Sequence, residues 1–183
     1  MMNQLDLMRQ IASLADAEDG IIVADIGSQS LWLAAAKDRL RNFYLTGPMG
    51  SSVSIALGLA LARPDQSVIC VIGDGGLVMN LSALITAAGQ KPNNLTVCVI
   101  DNGIYNFTGL ISLPSGHLQW TELVDTLGAF MSITDETGIR KLEGDHDRGM
   151  TFIHAKVKPY TGAVPGHRIV PREEFKKIRS LFN

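Results

Sequence analysis

Leu5, Met8, Ile11 and Leu14 recur every third residue, which makes one face of an opening helix apolar, and Gly20 follows as its stop. The pattern then changes period. Residues 21–25 (IIVAD) form a short unbroken apolar run bounded by turn residues, and residues 41–47 (RNFYLTG) read as a second strand, with a helix over 30–40 between them. Residues 51–63 are rich in small apolar residues and predict a buried helix that ends before the turn at Pro64-Asp65. Residues 67–76 (SVICVIGDGG) are an apolar strand running into glycines. A helix over 78–90 follows, with Gly89 near its end as a C-terminal signal. After the turn at Pro92-Asn93-Asn94, residues 95–101 (LTVCVID) are another buried strand, and residues 150–158 a last, more alternating one. Residues 171–182 predict a terminal helix with Pro171 in its first turn. Residues 102–120 are the longest stretch without periodicity, and loops of that length usually carry function or move.

Strands alternating with helices, the central ones apolar on both faces, predict an α/β fold: an open, mostly parallel sheet with helices on both sides. The 183 residues suit one domain spanning 1–183. With 46% of residues hydrophobic and 19% charged, the chain has the composition of a folded, soluble protein, and a net charge of −2 carries no electrostatic footprint for nucleic acid or a membrane surface. Cys70 and Cys98 both lie inside apolar runs and are expected as buried thiols. The N-terminal segment carries acids where a signal peptide would be apolar, and no apolar run approaches the roughly 20 residues of a membrane span, so a cytoplasmic location is expected.

In such a sheet ligands bind beyond the C-terminal strand ends. Four predicted ends carry distinctive residues: Asp25 through Gln29, Gly47 through Gly50, Gly73 through Gly76, and Asp101 through Gly103. Glycines between a strand and a helix let backbone N–H groups approach a phosphate at the positive end of the helix dipole. Asp74 sits among those glycines, and a carboxylate beside a diphosphate is repulsive unless a cation lies between them. Mg²⁺ meets that need, because it takes oxygen ligands and bridges carboxylates to phosphates. Asn102 offers a second oxygen donor from a neighbouring strand end, one helix and one strand further on. Two competitors are weaker. A dinucleotide fingerprint would need glycine where Val78 stands, and a P-loop would need a Gly-Lys-Ser/Thr that is missing. A bare turn is the bland alternative for GDGG, and ordinary core packing is the bland alternative for Met49.

The segment GDGGLVMNLSALITAAGQKPNNLTVCVIDNGIY resembles the thiamine diphosphate motif, which opens on GDG and closes roughly 30 residues later on an Asn pair; here the pair is Asp101-Asn102. The chain is therefore similar to the diphosphate-binding domain of the thiamine diphosphate-dependent 2-oxo acid decarboxylases. The segments MNLSAL, NNLTVCVIDNGIY and HRIVPREEFKKIRSLF resemble most the branch acting on sulfopyruvate or phosphonopyruvate. The resemblance implies that Asp74, Asn102 and the Ile104 carbonyl hold Mg²⁺. It implies that Gly75, Gly76, Tyr105, Ser28 and Gln29 meet the diphosphate, that the Gly47 carbonyl meets the aminopyrimidine, and that Met49 props the bent cofactor. Thr108-Gly109-Leu110-Ile111 departs from the family's Thr-Gly-Gly-Gln, which leaves the substrate open.

The same resemblance implies a lyase that uses thiamine diphosphate and Mg²⁺ on a small 2-oxo acid. It also implies that the activating glutamate belongs to a separate pyrimidine-binding, α-type subunit, because no segment here matches that domain. The chain is then expected to supply no catalytic residue of its own, to be inactive alone, and to work in a hetero-oligomer. His117, in the loop after Tyr105, is a candidate substrate contact. His154 is expected to be packed or solvent-facing, Asp145-His146-Asp147 to be a solvated turn, and His167 is without a role. An acetolactate-synthase-like carboligase and a non-catalytic cofactor-binding or scaffold module are the other function classes.

Overall fold

The computed structural model describes residues 2–113, 118–133, 149–167 and 169–182. Its centre is a six-stranded sheet in the order β2-β1-β3-β4-β8-β7, every adjacent pair parallel. The strands are β1 (Ile21–Ala24), β2 (Asn42–Tyr44), β3 (Val68–Gly73), β4 (Leu95–Asp101), β7 (Phe130–Ile133) and β8 (Thr151–Lys156). A two-stranded antiparallel ribbon, β5 (Ile104–Tyr105) with β6 (Ile111–Ser112), stands apart from it.

The unbroken apolar runs are explained by two cores, one on each face. Along β1, Ile21 and Val23 face one core while Ile22 and Ala24 face the other; β3 divides Cys70 and Ile72 from Ile69 and Val71 in the same way. The first core is roofed by α3 (Ser52–Ala62), α5 (Leu81–Gln90) and α6 (Trp120–Thr126), the second by α1 (Gln4–Ala17) and α2 (Ser28–Ala36). A parallel strand covered on both faces has no polar side to alternate with, so period two disappears from the sequence. Cys70 and Cys98 are both buried and free, as expected.

Local signals set the ends of several helices. The Asn3 side chain accepts the Asp6 N–H at 2.8 Å and caps α1. α7 (Pro171–Ser180) opens on Pro171 with Glu173 and Glu174 in its first turn and Lys177 and Arg179 in its last, matching the helix dipole at both ends. Glu174 is buried, and its carboxylate accepts the Tyr44 N–H at 3.0 Å, so α7 closes the outer edge of β2.

Three expectations are corrected. The helix drawn over 78–90 is two helices, α4 (Asp74–Met79) and α5, broken at Asn80, whose backbone (φ −134°, ψ 51°) leaves the helical region. The glycines drawn at the end of the strand, Gly75 and Gly76, already belong to α4. Residues 102–120 are not one structureless loop: they contain the β5–β6 ribbon, and α6 begins at Trp120. Strand β7, on the far edge, was not foreseen. Among the described residues no helix is long and apolar enough to cross a membrane.

Candidate active site

The chain leaves β1 for β2 on one side and returns to β3 on the other, so the strand order reverses between β1 and β3. A crevice opens beyond the carboxyl ends of strands at such a switch point. Here it is a cavity of about 340 Å³. Of the ten residues expected at a cofactor, Ser28, Gln29, Met49, Asp74, Gly75, Asn102, Ile104 and Tyr105 line it. Gly47 and Gly76 do not. Gly76 lies beneath the floor, where an added Cβ would stand 2.6 Å from Asp25 Oδ2, and Gly47 is exposed with open space beside it. His117, like Asp145, His146 and Asp147, lies outside the described residues.

The cavity is shaped for close backbone approach. A Cβ on Gly73 would sit 2.7 Å from Gln29 Nε2, and one on Gly75 would sit 2.5 Å from the Tyr105 ring, so side chains larger than hydrogen would fill the cradle. Gln29 is held in place from below: Gln4 of α1, itself buried, donates through Nε2 to Gln29 Oε1 at 2.9 Å. That bond occupies the carbonyl end of Gln29 and sets the amide nitrogen at the Gly73 side, where it donates to Ser28 Oγ at 3.3 Å and has a second N–H that could meet an anion.

Asp74 and Asn102 are both buried at neighbouring strand ends. Asp74 Oδ2 accepts the Gly103 N–H at 3.0 Å, and Asn102 Oδ1 accepts the Ile104 N–H at 3.0 Å. Asn102 Nδ2 donates to Asn106 Oδ1 at 2.6 Å, and Asn106 in turn donates to the Tyr160 carbonyl at 3.0 Å. This chain fixes which end of the Asn102 amide is oxygen. Burial, and then the negative charge of Asp101, push the Asp74 carboxyl up to about 7. Burial also acts to raise Asp101, but the His154 imidazole at 2.7 Å outweighs it, with smaller help from Asp74 and Lys156, and holds that carboxyl below its usual range. Asp74 is thus the acid whose charged form burial disfavours, and a bound cation would stabilise that form. An oxygen-loving divalent ion fits this donor set of carboxylate, amide oxygen and backbone carbonyl. Among the described residues no three His, Cys, Asp or Glu gather into a metal cluster.

Several residues of this region escaped the sequence reading. His154 was expected to be packed or solvent-facing; it is packed, with the Trp120 ring 5.6 Å away, but its pairing to Asp101 was not anticipated. The two come together because β8 lies beside β4 with Val99 opposite His154, a register no local pattern reports. A second hollow of about 490 Å³, lined by His154, Lys156 and Trp120 among others, lies on the far side of Asp101. Asp25, Asn106 and Phe107 also line the first cavity. Asp25 was legible only as a polar strand end.

Residues 25–141 match the model of the family described as thiamine pyrophosphate enzyme, C-terminal TPP binding domain, and the chain belongs to that family. The β subunit of sulfopyruvate decarboxylase from Methanothermobacter thermautotrophicus is 32% identical over 174 residues, covering 90% of this chain and 87% of that subunit. Phosphonopyruvate decarboxylase from Streptomyces viridochromogenes is 39% identical over 183 residues, covering 96% of this chain and 45% of that protein, so the chain spans less than half of it. In structure, the thiamine diphosphate-dependent 4-hydroxybenzoylformate decarboxylase of Rhodococcus jostii superposes with a TM-score of 0.64 at 21% identity, over 85% of this chain and 33% of that one, a likeness of fold.

Proposed function

We propose that residues 1–183 are a single diphosphate-binding domain acting as one subunit of a cytoplasmic, thiamine diphosphate- and Mg²⁺-dependent decarboxylase of a sulfopyruvate- or phosphonopyruvate-like 2-oxo acid. The observation that carries the reading is the buried pair Asp74 and Asn102 facing one cavity with the glycine cradle beside it. In this reading Asp74, Asn102 and the Ile104 carbonyl hold Mg²⁺. Gly75, Tyr105, Ser28 and Gln29 orient the diphosphate, and Met49 supports the rings. The bound cofactor supplies the electron sink for loss of CO₂ from the 2-oxo acid. The chain's own residues bind and orient, and the burial of Asp74 and Asn102 keeps water from their polar groups, which strengthens each interaction.

The glutamate that activates the cofactor is assigned to a pyrimidine-binding, α-type partner, and the active site forms between the two chains. The names of two relatives support this, since proteins that match 90% and 85% of this chain are named as β subunits of sulfopyruvate decarboxylase. The apolar rim of the cavity supports it as well: Ile26, Met49 and Phe107 all line the mouth and are partly or largely exposed.

The test is purification of the chain alone and together with its partner, followed by assay on a panel of 2-oxo acids with thiamine diphosphate and Mg²⁺. Turnover is expected only with the partner, and robust turnover by the chain alone would overturn the split-site reading. A carboligase is the second reading, favoured by 36% identity over 99 residues to the large subunit of acetolactate synthase isozyme 1 from Escherichia coli, which covers 51% of this chain. Product analysis with pyruvate separates the two, because ligation yields a hydroxy-keto acid and simple decarboxylation an aldehyde.

A further inference from the structure

Asp25 is a buried carboxylate at the end of β1, on the lining of the cavity, to which the proposed function gives no role. It is 1% exposed, and burial pushes its carboxyl above the usual carboxylate range, against the opposing pull of the Gly50, Ile26 and Ser52 N–H groups. A group kept at that cost is expected to hold something. What it holds is Gly50: Asp25 Oδ2 accepts the Gly50 N–H at 2.9 Å, with Oδ1 at 3.3 Å. The other side of the same residue is held too, since Asn80 Nδ2 donates to the Gly50 carbonyl at 3.1 Å.

Gly50 can accept this double grip because of its conformation. Its φ is +87°, a region open to glycine, and a Cβ there would lie 2.5 Å from the Gly76 carbonyl oxygen and 3.0 Å from Asn80 Cβ. The segment before α3 is thereby pressed onto the glycine turn that begins α4. No side chain within that segment caps α3, and the Asp25 carboxylate serves its N-terminal end from the end of β1, on the face that α3 covers. The residue immediately before the gripped glycine is Met49, which lines the cavity.

We propose that Asp25 and Asn80 are positioning residues that hold Met49 at the cavity wall by gripping both polar groups of the Gly50 backbone. The part that concerns cofactor rests on the reading that this cavity takes thiamine diphosphate; the grip itself does not. Asp25 touches no reacting atom and acts through Gly50 on Met49. Asp25→Asn keeps an acceptor of the same shape, whereas Asp25→Ala removes it.

Two measurements on the purified full chain test this. The first is amide hydrogen exchange over residues 46–52 without cofactor: Asp25→Ala accelerates exchange there, and Asp25→Asn restores protection. The second is calorimetric titration of thiamine diphosphate in the presence of Mg²⁺, with the partner subunit present, for the wild type, Asp25→Ala, Met49→Ala and the double variant. A lost hydrogen bond to a charged group corresponds to about tenfold weaker binding or more in Asp25→Ala, and in the Met49→Ala background the same change adds little. Unchanged exchange over 46–52, or an equal loss of affinity with and without Met49, overturns the proposal. A lowered melting temperature alone does not produce the non-additivity. If Asp25→Ala fails to fold, Asn80→Ala releases the other half of the grip and is expected to show the same non-additivity with Met49→Ala. A wild type that binds no cofactor even with its partner present overturns the functional reading, while the exchange arm still decides the grip.

Discussion

Gly50→Ala is the substitution whose cost can be worked most directly from the geometry. The new methyl group meets the Gly76 carbonyl oxygen at 2.5 Å, a backbone atom inside α4 that has no rotamer to change, and it must do so at φ +87°. Left-handed backbone costs an L-residue about 1–2 kcal/mol, and displacing the segment to relieve the overlap breaks the Gly50 hydrogen bond to the buried Asp25 carboxylate, worth about 1.5–3 kcal/mol. The total is roughly 3–5 kcal/mol against a typical domain stability of about 5–15 kcal/mol. For a chain of this size it corresponds to a fall of roughly 6–20 °C in melting temperature. Urea unfolding followed by circular dichroism measures it, with the slope of the transition unchanged if the native fold survives. A loss below about 1 kcal/mol would refute the reasoning, since it would mean that residues 47–50 slide as a unit without losing their anchors.

Other consequences follow from the same geometry. Asp74→Ala is expected to abolish Mg²⁺-dependent binding of thiamine diphosphate while leaving the circular dichroism spectrum intact, and unchanged affinity by calorimetry would remove Asp74 from the site. Gln4→Leu takes away the donor that orients Gln29 at 2.9 Å, so cofactor affinity is expected to weaken by about tenfold or less although residue 4 lies beneath the cavity rather than in it; an unchanged titration would show that Gln29 needs no support. Phe152→Ala empties a fully buried site against the Trp120 ring and should cost about 3–5 kcal/mol in urea unfolding. The raised carboxyl of Asp25 sets a pH dependence: its stabilising contribution is complete below the unfolded-state value near 4 and is lost as pH rises through its higher folded-state value. The stability of the wild type relative to Asp25→Asn is therefore expected to fall as pH rises from about 4 toward neutrality, and parallel pH profiles for the two proteins would contradict it.

Much of the molecule is written locally. The period of Leu5, Met8, Ile11 and Leu14, the apolar runs at 21–25, 67–73 and 95–101, and the turn residues between them determine which segments become helix and strand, because each depends only on neighbours along the chain. The glycines around Asp74 and the amide of Asn102 are likewise legible, since a carboxylate among phosphate-binding glycines has few physical uses. The switch point that gathers them follows from strand order, which the alternation of elements constrains without specifying.

What only the tertiary structure decided is which distant side chains meet. The break at Asn80 was invisible because it accompanies a contact with the Gly50 carbonyl, 30 residues earlier in the chain, which its amide reaches across to hold. His154 reads as one more residue of a strand until the β4–β8 register sets it beside Asp101. Gln4 reads as a polar residue at the start of a surface helix until α1 packs over α2 and brings it to Gln29. In each case the informative contact joins residues far apart in sequence, and hydrogen-bond geometry of a few tenths of an ångström exists only after the two cores have closed on the sheet. The chain's own pattern thus picks out most of the residues that come to line one cavity, and the packing of the layers determines how firmly each one is held.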